Sequence, residues 1–111
     1  MDVIRVRAIR TYPAPGGPPV EHEDVAVEAE GLHGDRRKKA AVSLIGDDAP
    51  TTRANLVLDA STGTVEALAG TVVRIGGALL AVERTGTSCP GLYGAVGEPG
   101  VIRVGDVVQA Q

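Results

Sequence analysis

The chain has 111 residues, of which 43% are hydrophobic and only 2% aromatic, and its formal net charge is −3. This length fits one domain over residues 1–111, with a core of Val, Ile, Leu and Ala side chains. The acidic balance and the scarcity of aromatic rings argue against a nucleic-acid partner, and no apolar run is long enough for a membrane span. Because there is a single cysteine and no signal-peptide core, we expect a cytoplasmic protein.

Short stretches of alternating apolar and polar residues, separated by many of the 15 glycines and 7 prolines, predict β-strands joined by turns. A helical turn is predicted at 65–68, and spacing of this kind is typical of a small barrel or sandwich. The fold class predicted is therefore mainly β, a small β-barrel-like fold with short helical turns. Loops or turns are predicted at 11–20, 31–39, 47–53 and 84–94. After the turn at 47–53, the segment 55–61 is predicted to bring the chain back as a strand. Strands are predicted at 3–9, 25–29, 41–46, 55–61, in the two halves of 71–84 around Gly76-Gly77, and in a pair within 101–110.

The charged loop GLHGDRRKK, residues 31–39, is the first candidate for a binding site. Gly31 and Gly34 can adopt positive φ and so bracket a sharp bend. Backbone N–H groups of such a loop, together with the guanidinium of Arg36, are able to surround one anion, because the planar fork of arginine matches a phosphate. The alternative is a solvated loop in which Asp35 pairs with a nearby Arg or Lys.

Three polar residues in the next strands form a second candidate group. Ser43 lies in an apolar strand, where its hydroxyl either bonds a neighbouring backbone group or points to a ligand. Arg53 and Asn55 are two residues apart, so on a strand they share one face. A guanidinium beside an amide suits a phosphate and a heteroaromatic edge. The alternative is an exposed strand start in which Asn55 satisfies the preceding turn.

Cys89, the only cysteine, lies in the predicted loop 84–94. A lone cysteine is more often a small buried hydrophobe than a nucleophile, but the Gly, Pro and Ser neighbours here favour an accessible thiol. A nearby Arg84 would favour the thiolate, which can carry sulfur covalently or ligate a soft metal. His22 and His33 do not have the ligand spacing of a zinc site with Cys89, and nothing in the sequence forms a Cys–His pair.

Taken together, these segments resemble a MOSC domain, the module found at the C-terminus of molybdenum cofactor sulfurases and in standalone proteins. The resemblance spans almost the whole chain, and the ordered set of segments is more specific than any one of them. The matching segments are GLHGDRR (31–37), AVSLI (41–45), RANLVL (53–58), LAGTVVRIGGALLAV (68–82), Cys89 in TSCPG, and VIRVGDVV (101–108).

The resemblance implies a barrel-like β fold that binds molybdenum cofactor, with molybdopterin as its organic part. It implies that Cys89 is the sulfur carrier or molybdenum ligand. It also implies a pterin or phosphate site formed by Gly34, Asp35, Arg36, Ser43, Arg53 and Asn55.

Three functions follow as alternatives. The first is a module that binds molybdenum cofactor or carries sulfur on Cys89 as a persulfide, supplied by a separate desulfurase chain. The second is a small molybdenum oxidoreductase that reduces N-hydroxylated substrates with an external electron donor. The third is a degenerate, non-catalytic β-barrel. A site shared across a homodimer is compatible with the first two functions.

Overall fold

The chain folds as two β-sheets with one short helix among the residues that the structure describes. The computed structural model describes residues 3–37, 41–49, 53–85 and 89–111. Strands account for 51% of these residues, which confirms the predicted mainly β fold with short helical turns. The elements are β1 (Val6–Thr11), β2 (Val20–His22), β3 (Asp24–Glu28), β4 (Gly31–Leu32), β5 (Val42–Gly46), β6 (Leu56–Leu58), α1 (Thr62–Glu66), β7 (Val72–Ile75), β8 (Ala78–Arg84), β9 (Leu92–Glu98), β10 (Gly100–Arg103) and β11 (Val108–Ala110).

The larger sheet has eight strands and curls into a half-barrel. Its order is β11-β7-β8-β9-β5-β6-β1-β2, and the smaller sheet has the order β10-β3-β4. The strand pairs are antiparallel except for β5 and β6, which run parallel with Leu44 opposite Leu56. The first and last strands of the chain come close together, because Arg5 forms a bridge with Val107.

The predicted hairpin at Gly76-Gly77 is confirmed, since β7 and β8 pair with Ile75 opposite Ala78. Gly76 has a φ of 55°, the left-handed region that a tight turn uses. A turn at 47–48 and the strand predicted after it are present, but this strand does not bring the chain back, because β6 runs parallel to β5. All three residues of β6 are buried, so this strand lacks the alternating pattern of a hairpin strand with one solvated face. Residues 50–52 of this connection lie outside the described residues.

The prediction of a loop over 84–94 is confirmed at the described residues 85 and 89–91 and is wrong at its two ends. Strand β8 continues to Arg84 and β9 begins at Leu92, while residues 86–88 lie outside the described residues. The glycines favoured a loop in the prediction, but Gly94 lies inside β9, where it packs against the side chains of Leu44 and Leu80. Strand β2, at the edge of the large sheet, was also missed.

The core lies between the two sheets. Apolar side chains of the small sheet, such as Val27 and Ile102, pack with Leu44, Leu56 and Leu80 of the large sheet in one buried cluster. A second, smaller cluster of Ile45, Ala54 and Val57 forms apart from the first. None of the helices in the described part of the chain has the length and apolar character needed to span a membrane.

Candidate anion-binding site

Two arginines from separate segments meet at one cavity of about 160 Å³, lined by Tyr12, Asp35, Arg36 and Arg53. Tyr12 follows β1 directly, Asp35 and Arg36 follow the turn after β4, and Arg53 comes three residues before β6. Both arginines are exposed. The fold thus brings to one cavity two arginines that the sequence places 17 positions apart.

The loop after β4 has the backbone geometry expected from its glycines. Gly31 and Gly34 have φ values of 132° and 84°, which confirms the prediction of positive φ at both positions. The N–H of Asp35 donates to the carbonyl of Leu32 at 3.1 Å and closes the turn. The N–H of Arg36 donates to the carbonyl of Tyr12 at 3.3 Å, which anchors the loop beside the end of β1. Residues 38 and 39 of the predicted loop lie outside the described residues.

Asp35 is the buried carboxylate at the back of this cavity, with 9% of its surface exposed. Its Oδ1 accepts a hydrogen bond from the backbone N–H of Tyr12 at 2.8 Å. Its Oδ2 accepts one from Nδ2 of Asn55 at 3.1 Å. Asp35 therefore joins the end of β1 to the start of β6, and these bonds satisfy the carboxylate beside the two arginines.

Ser43 and Asn55 form the polar network behind the cavity. Asn55 is fully buried, and its Oδ1 accepts hydrogen bonds from the backbone N–H and the hydroxyl of Ser43 at 3.0 and 3.2 Å. Its Nδ2 donates to the carbonyl of Arg10 at 3.0 Å as well as to Asp35. Neither Ser43 nor Asn55 lines the cavity. Their predicted contact with a ligand stays a prediction. In the structure, their hydrogen bonds link β5 and β1 to the residue that precedes β6.

Tyr12 is the residue of this site that sequence reasoning missed. The guanidinium of Arg53 lies over its ring, with Cζ 4.2 Å from the ring centroid. Nη2 of Arg53 also donates to the carbonyl of Gly17 at 2.9 Å. The available signal was weak: Tyr12 is one of only two aromatic residues in the chain, at the start of a Pro- and Gly-rich segment.

Cys89 lies away from this cavity. It is exposed, and its carbonyl accepts a hydrogen bond from the hydroxyl of Thr85 at 3.0 Å, just beyond the end of β8. Strand β9 starts with Leu92 opposite Leu44 and runs antiparallel to β5, so the chain enters β9 from the carboxyl end of β5. Arg53 lies on the amino-terminal side of β6, at the other end of the parallel pair. The structure therefore gathers Arg36, Arg53 and Asp35 but does not bring Cys89 to them.

The remaining candidates take part in local contacts. His33 and Arg37 both bond the carboxylate of Glu28, at 3.1 and 2.9 Å. The bond from Arg37, supported by the one from His33, lowers the pKa of Glu28. Nε2 of His22 lies 2.8 Å from the hydroxyl of Thr11. In the described part of the chain, no three His, Cys, Asp or Glu side chains are grouped as metal ligands.

Comparison with known proteins finds similarity at the level of the fold. No family model matches the chain, and no curated protein matches it. Among solved structures, the YuaD protein from Bacillus subtilis aligns with a TM-score of 0.79 at 12% identity, over 98% of this chain and 96% of that one. YiiM from Escherichia coli aligns with a TM-score of 0.68 at 17% identity, over 100% of this chain and 70% of that one.

A protein described as hypothetical aligns with a TM-score of 0.75 at 16% identity, over 98% of this chain and 67% of that one. Identities this low carry information about the fold alone. The fold that the chain shares with YiiM and YuaD is consistent with the MOSC-like fold that the resemblance of the sequence segments implies.

Proposed function

We propose that the protein is a binding module that holds the phosphate end of a molybdenum-cofactor-type ligand between Arg36 and Arg53. The presence of these two arginines in the lining of one cavity carries the proposal. Guanidinium forks bind phosphate oxygens by charge-assisted hydrogen bonds. The buried carboxylate of Asp35 is already bonded by Tyr12 and Asn55, which limits its repulsion of an anion.

The size of the cavity limits which part of the ligand it can hold. At about 160 Å³ it is smaller than the roughly 300–1,000 Å³ of typical small-molecule sites, and it suits a phosphate group rather than a whole pterin. The residues therefore fit the phosphate end of molybdopterin. They do not supply a ligand for the molybdenum, because Cys89, the predicted metal ligand, lies at the other end of the β5–β6 pair.

The direct test is titration of the ¹⁵N-labelled protein with inorganic phosphate and with a phosphomonoester. We expect the backbone signals of Tyr12, Asp35 and Arg36 to shift together with one dissociation constant. Arg36→Ala and Arg53→Ala should each weaken binding at least about tenfold, the effect of losing one charge-assisted contact. Arg103→Ala, which removes an exposed arginine from β10, serves as the matched charge control and should bind like the wild type. Equal affinities in all three variants would refute the site.

Anaerobic incubation with isolated molybdenum cofactor, followed by gel filtration and elemental analysis, tests the identity of the ligand. Retention in the wild type and loss in Arg36→Ala supports the proposed function. Molybdenum retained at one per two chains and lost in Cys89→Ser would indicate that a second copy supplies Cys89. No retention and no phosphate binding would leave the non-catalytic barrel.

Sulfur carriage is a second candidate function, favoured by the exposure of Cys89. In this step the Cys89 thiolate attacks the outer sulfur of a donor persulfide. The S–S bond of the donor breaks, the donor leaves as a thiolate, and Cys89 becomes a persulfide, so no separate oxidant is needed. Mass spectrometry after incubation with cysteine persulfide should show one added sulfur, which cyanide removes and Cys89→Ser abolishes. An unmodified wild-type protein would refute this function.

Reduction of N-hydroxylated substrates requires Cys89 at the molybdenum. Because the described residues of one chain do not bring Cys89 to the two arginines, we derive no redox step for this alternative.

A further inference from the structure

We infer that Tyr12 is the positioning residue of the anion site, acting on the ligand through Arg36 and Arg53. This inference rests on the proposed binding of an anion at this cavity. Tyr12 contacts its neighbours through its ring, its backbone N–H and its carbonyl, and each of these contacts leads to a residue that lines the cavity. The hydroxyl of Tyr12 donates to the carbonyl of Ala54, the residue after Arg53, at 3.4 Å.

The ring of Tyr12 acts on Arg53. An exposed arginine samples many rotamers, and fixing one of them costs conformational entropy. Here the guanidinium of Arg53 lies over the ring, with Cζ 4.2 Å from the ring centroid, and Nη2 donates a hydrogen bond to the carbonyl of Gly17. A guanidinium has five N–H donors, so the four others of Arg53 remain for a ligand. The stacking therefore lowers the entropy that Arg53 loses on binding an anion.

The backbone of Tyr12 acts on Arg36. The carbonyl of Tyr12 accepts the N–H of Arg36, and the N–H of Tyr12 donates to Asp35 one position earlier. One residue thus links the loop that carries Arg36 to the side chain of Arg53. Only 8% of Tyr12 is exposed, which leaves little of its ring for a ligand to stack on, so we expect Tyr12 to act on the ligand through the arginines.

Two substitutions separate positioning from a structural role. Tyr12→Phe keeps the ring and should bind inorganic phosphate as the wild type does. Tyr12→Leu removes the cation–π contact and should weaken binding about two- to fivefold, the fold-change that corresponds to such a contact at a partly exposed site. In the Arg53→Ala background, Tyr12→Leu should cause no further loss. A structural role alone would lower the melting temperature of Tyr12→Leu without changing its affinity.

Three results would overturn the inference: unchanged affinity in Tyr12→Leu, an equal loss with and without Arg53, or a loss in Tyr12→Phe as large as in Tyr12→Leu. A measurement on the wild type covers the case in which Tyr12→Leu does not fold. The side-chain protons of Arg53 should be shifted upfield by the ring current, relative to those of Arg103, and unshifted protons would refute the stacking. If the wild type does not bind phosphate but shows this shift, the proposed function fails while the stacking stands.

Discussion

Replacing Asn55 by alanine should lower the stability of the protein more than any exposed substitution, because this side chain bonds strands β5 and β1 and the loop after β4. Asn55→Ala removes one hydrogen-bond partner from the Ser43 N–H, the Arg10 carbonyl and the Asp35 carboxylate. A buried polar group that loses its partner costs about 1–3 kcal/mol. Allowing for water entry and relaxation, we expect the free energy of unfolding to fall by about 3 kcal/mol, or roughly 10–15 °C in melting temperature.

Asn55→Asp examines the same network without a change of shape. It keeps the oxygen that accepts from Ser43 but replaces the amide donor by a second oxygen facing Asp35. Contact with an existing carboxylate disfavours the charged form of the introduced one, which raises the folded-state pKa of the carboxyl at position 55 above its unfolded value. Stability should therefore be recovered as the pH falls below that raised pKa, and lost again as the pH rises through it. The stability of Asn55→Ala should lack this recovery.

Urea unfolding followed by far-UV circular dichroism is the assay, with equal m values as the condition for comparing midpoints. Gln109→Ala removes an exposed amide from β11 and should change stability by less than about 0.5 kcal/mol. If Asn55→Ala lowers the free energy of unfolding no more than Gln109→Ala does, the hydrogen bonds of Asn55 do not stabilise the fold.

Further predictions concern four other positions. Gly91 and Gly105 have nearly the same positive φ, but a Cβ on Gly91 would press against a carbonyl of β5, whereas a Cβ on Gly105 meets open space. Calorimetry should therefore show a loss of about 1 kcal/mol for Gly105→Ala and a clearly larger loss for Gly91→Ala. Hydrogen bonds from the hydroxyl and the N–H of Thr62 lower the pKa of Asp48, so its charged form stabilises the protein above its unfolded pKa. Asp48→Asn should thus be less stable than the wild type at neutral pH and equal to it in acid below the lowered pKa, as followed by thermal melts across pH. The exposed Cys89 should react with a thiol reagent at the same rate in native and urea-unfolded protein, and Cys89→Ser should keep the native melting temperature.

Local features of the chain were predictable because they depend on neighbouring residues. The Gly76-Gly77 hairpin and the bend at Gly31 and Gly34 follow from the left-handed backbone that glycine tolerates, and both are present. The joint presence of Arg36 and Arg53 at one site was suggested by the ordered set of family-like segments. Their convergence depends on the pairing of β1 with β6, which no local pattern specifies.

Features that arise from distant contacts were missed for the same reason. Strand β9 contains Gly94, and a glycine-rich run by itself predicts a loop. The packing of Leu44 and Leu80 against Gly94 is a tertiary contact that the sequence does not show. Strand β6 lies between β5 and β1, parallel to β5 and antiparallel to β1, and no local pattern in the sequence specifies this placement. The burial of Asn55 depends on Asp35 and Arg10, which lie 20 and 45 residues away.

The order of the strands also has a consequence for how fast the chain folds. Strands β7, β8 and β9 are consecutive neighbours in the sheet, so residues 72–98 can associate through short loops. By contrast, β3 must find β10, pairing Val27 with Gly100, and Arg5 must find Val107. Closing such long loops costs entropy before any contact compensates for it. We therefore expect folding on a millisecond-to-second timescale, with the β7–β9 meander formed in the transition state and the small sheet completed afterwards.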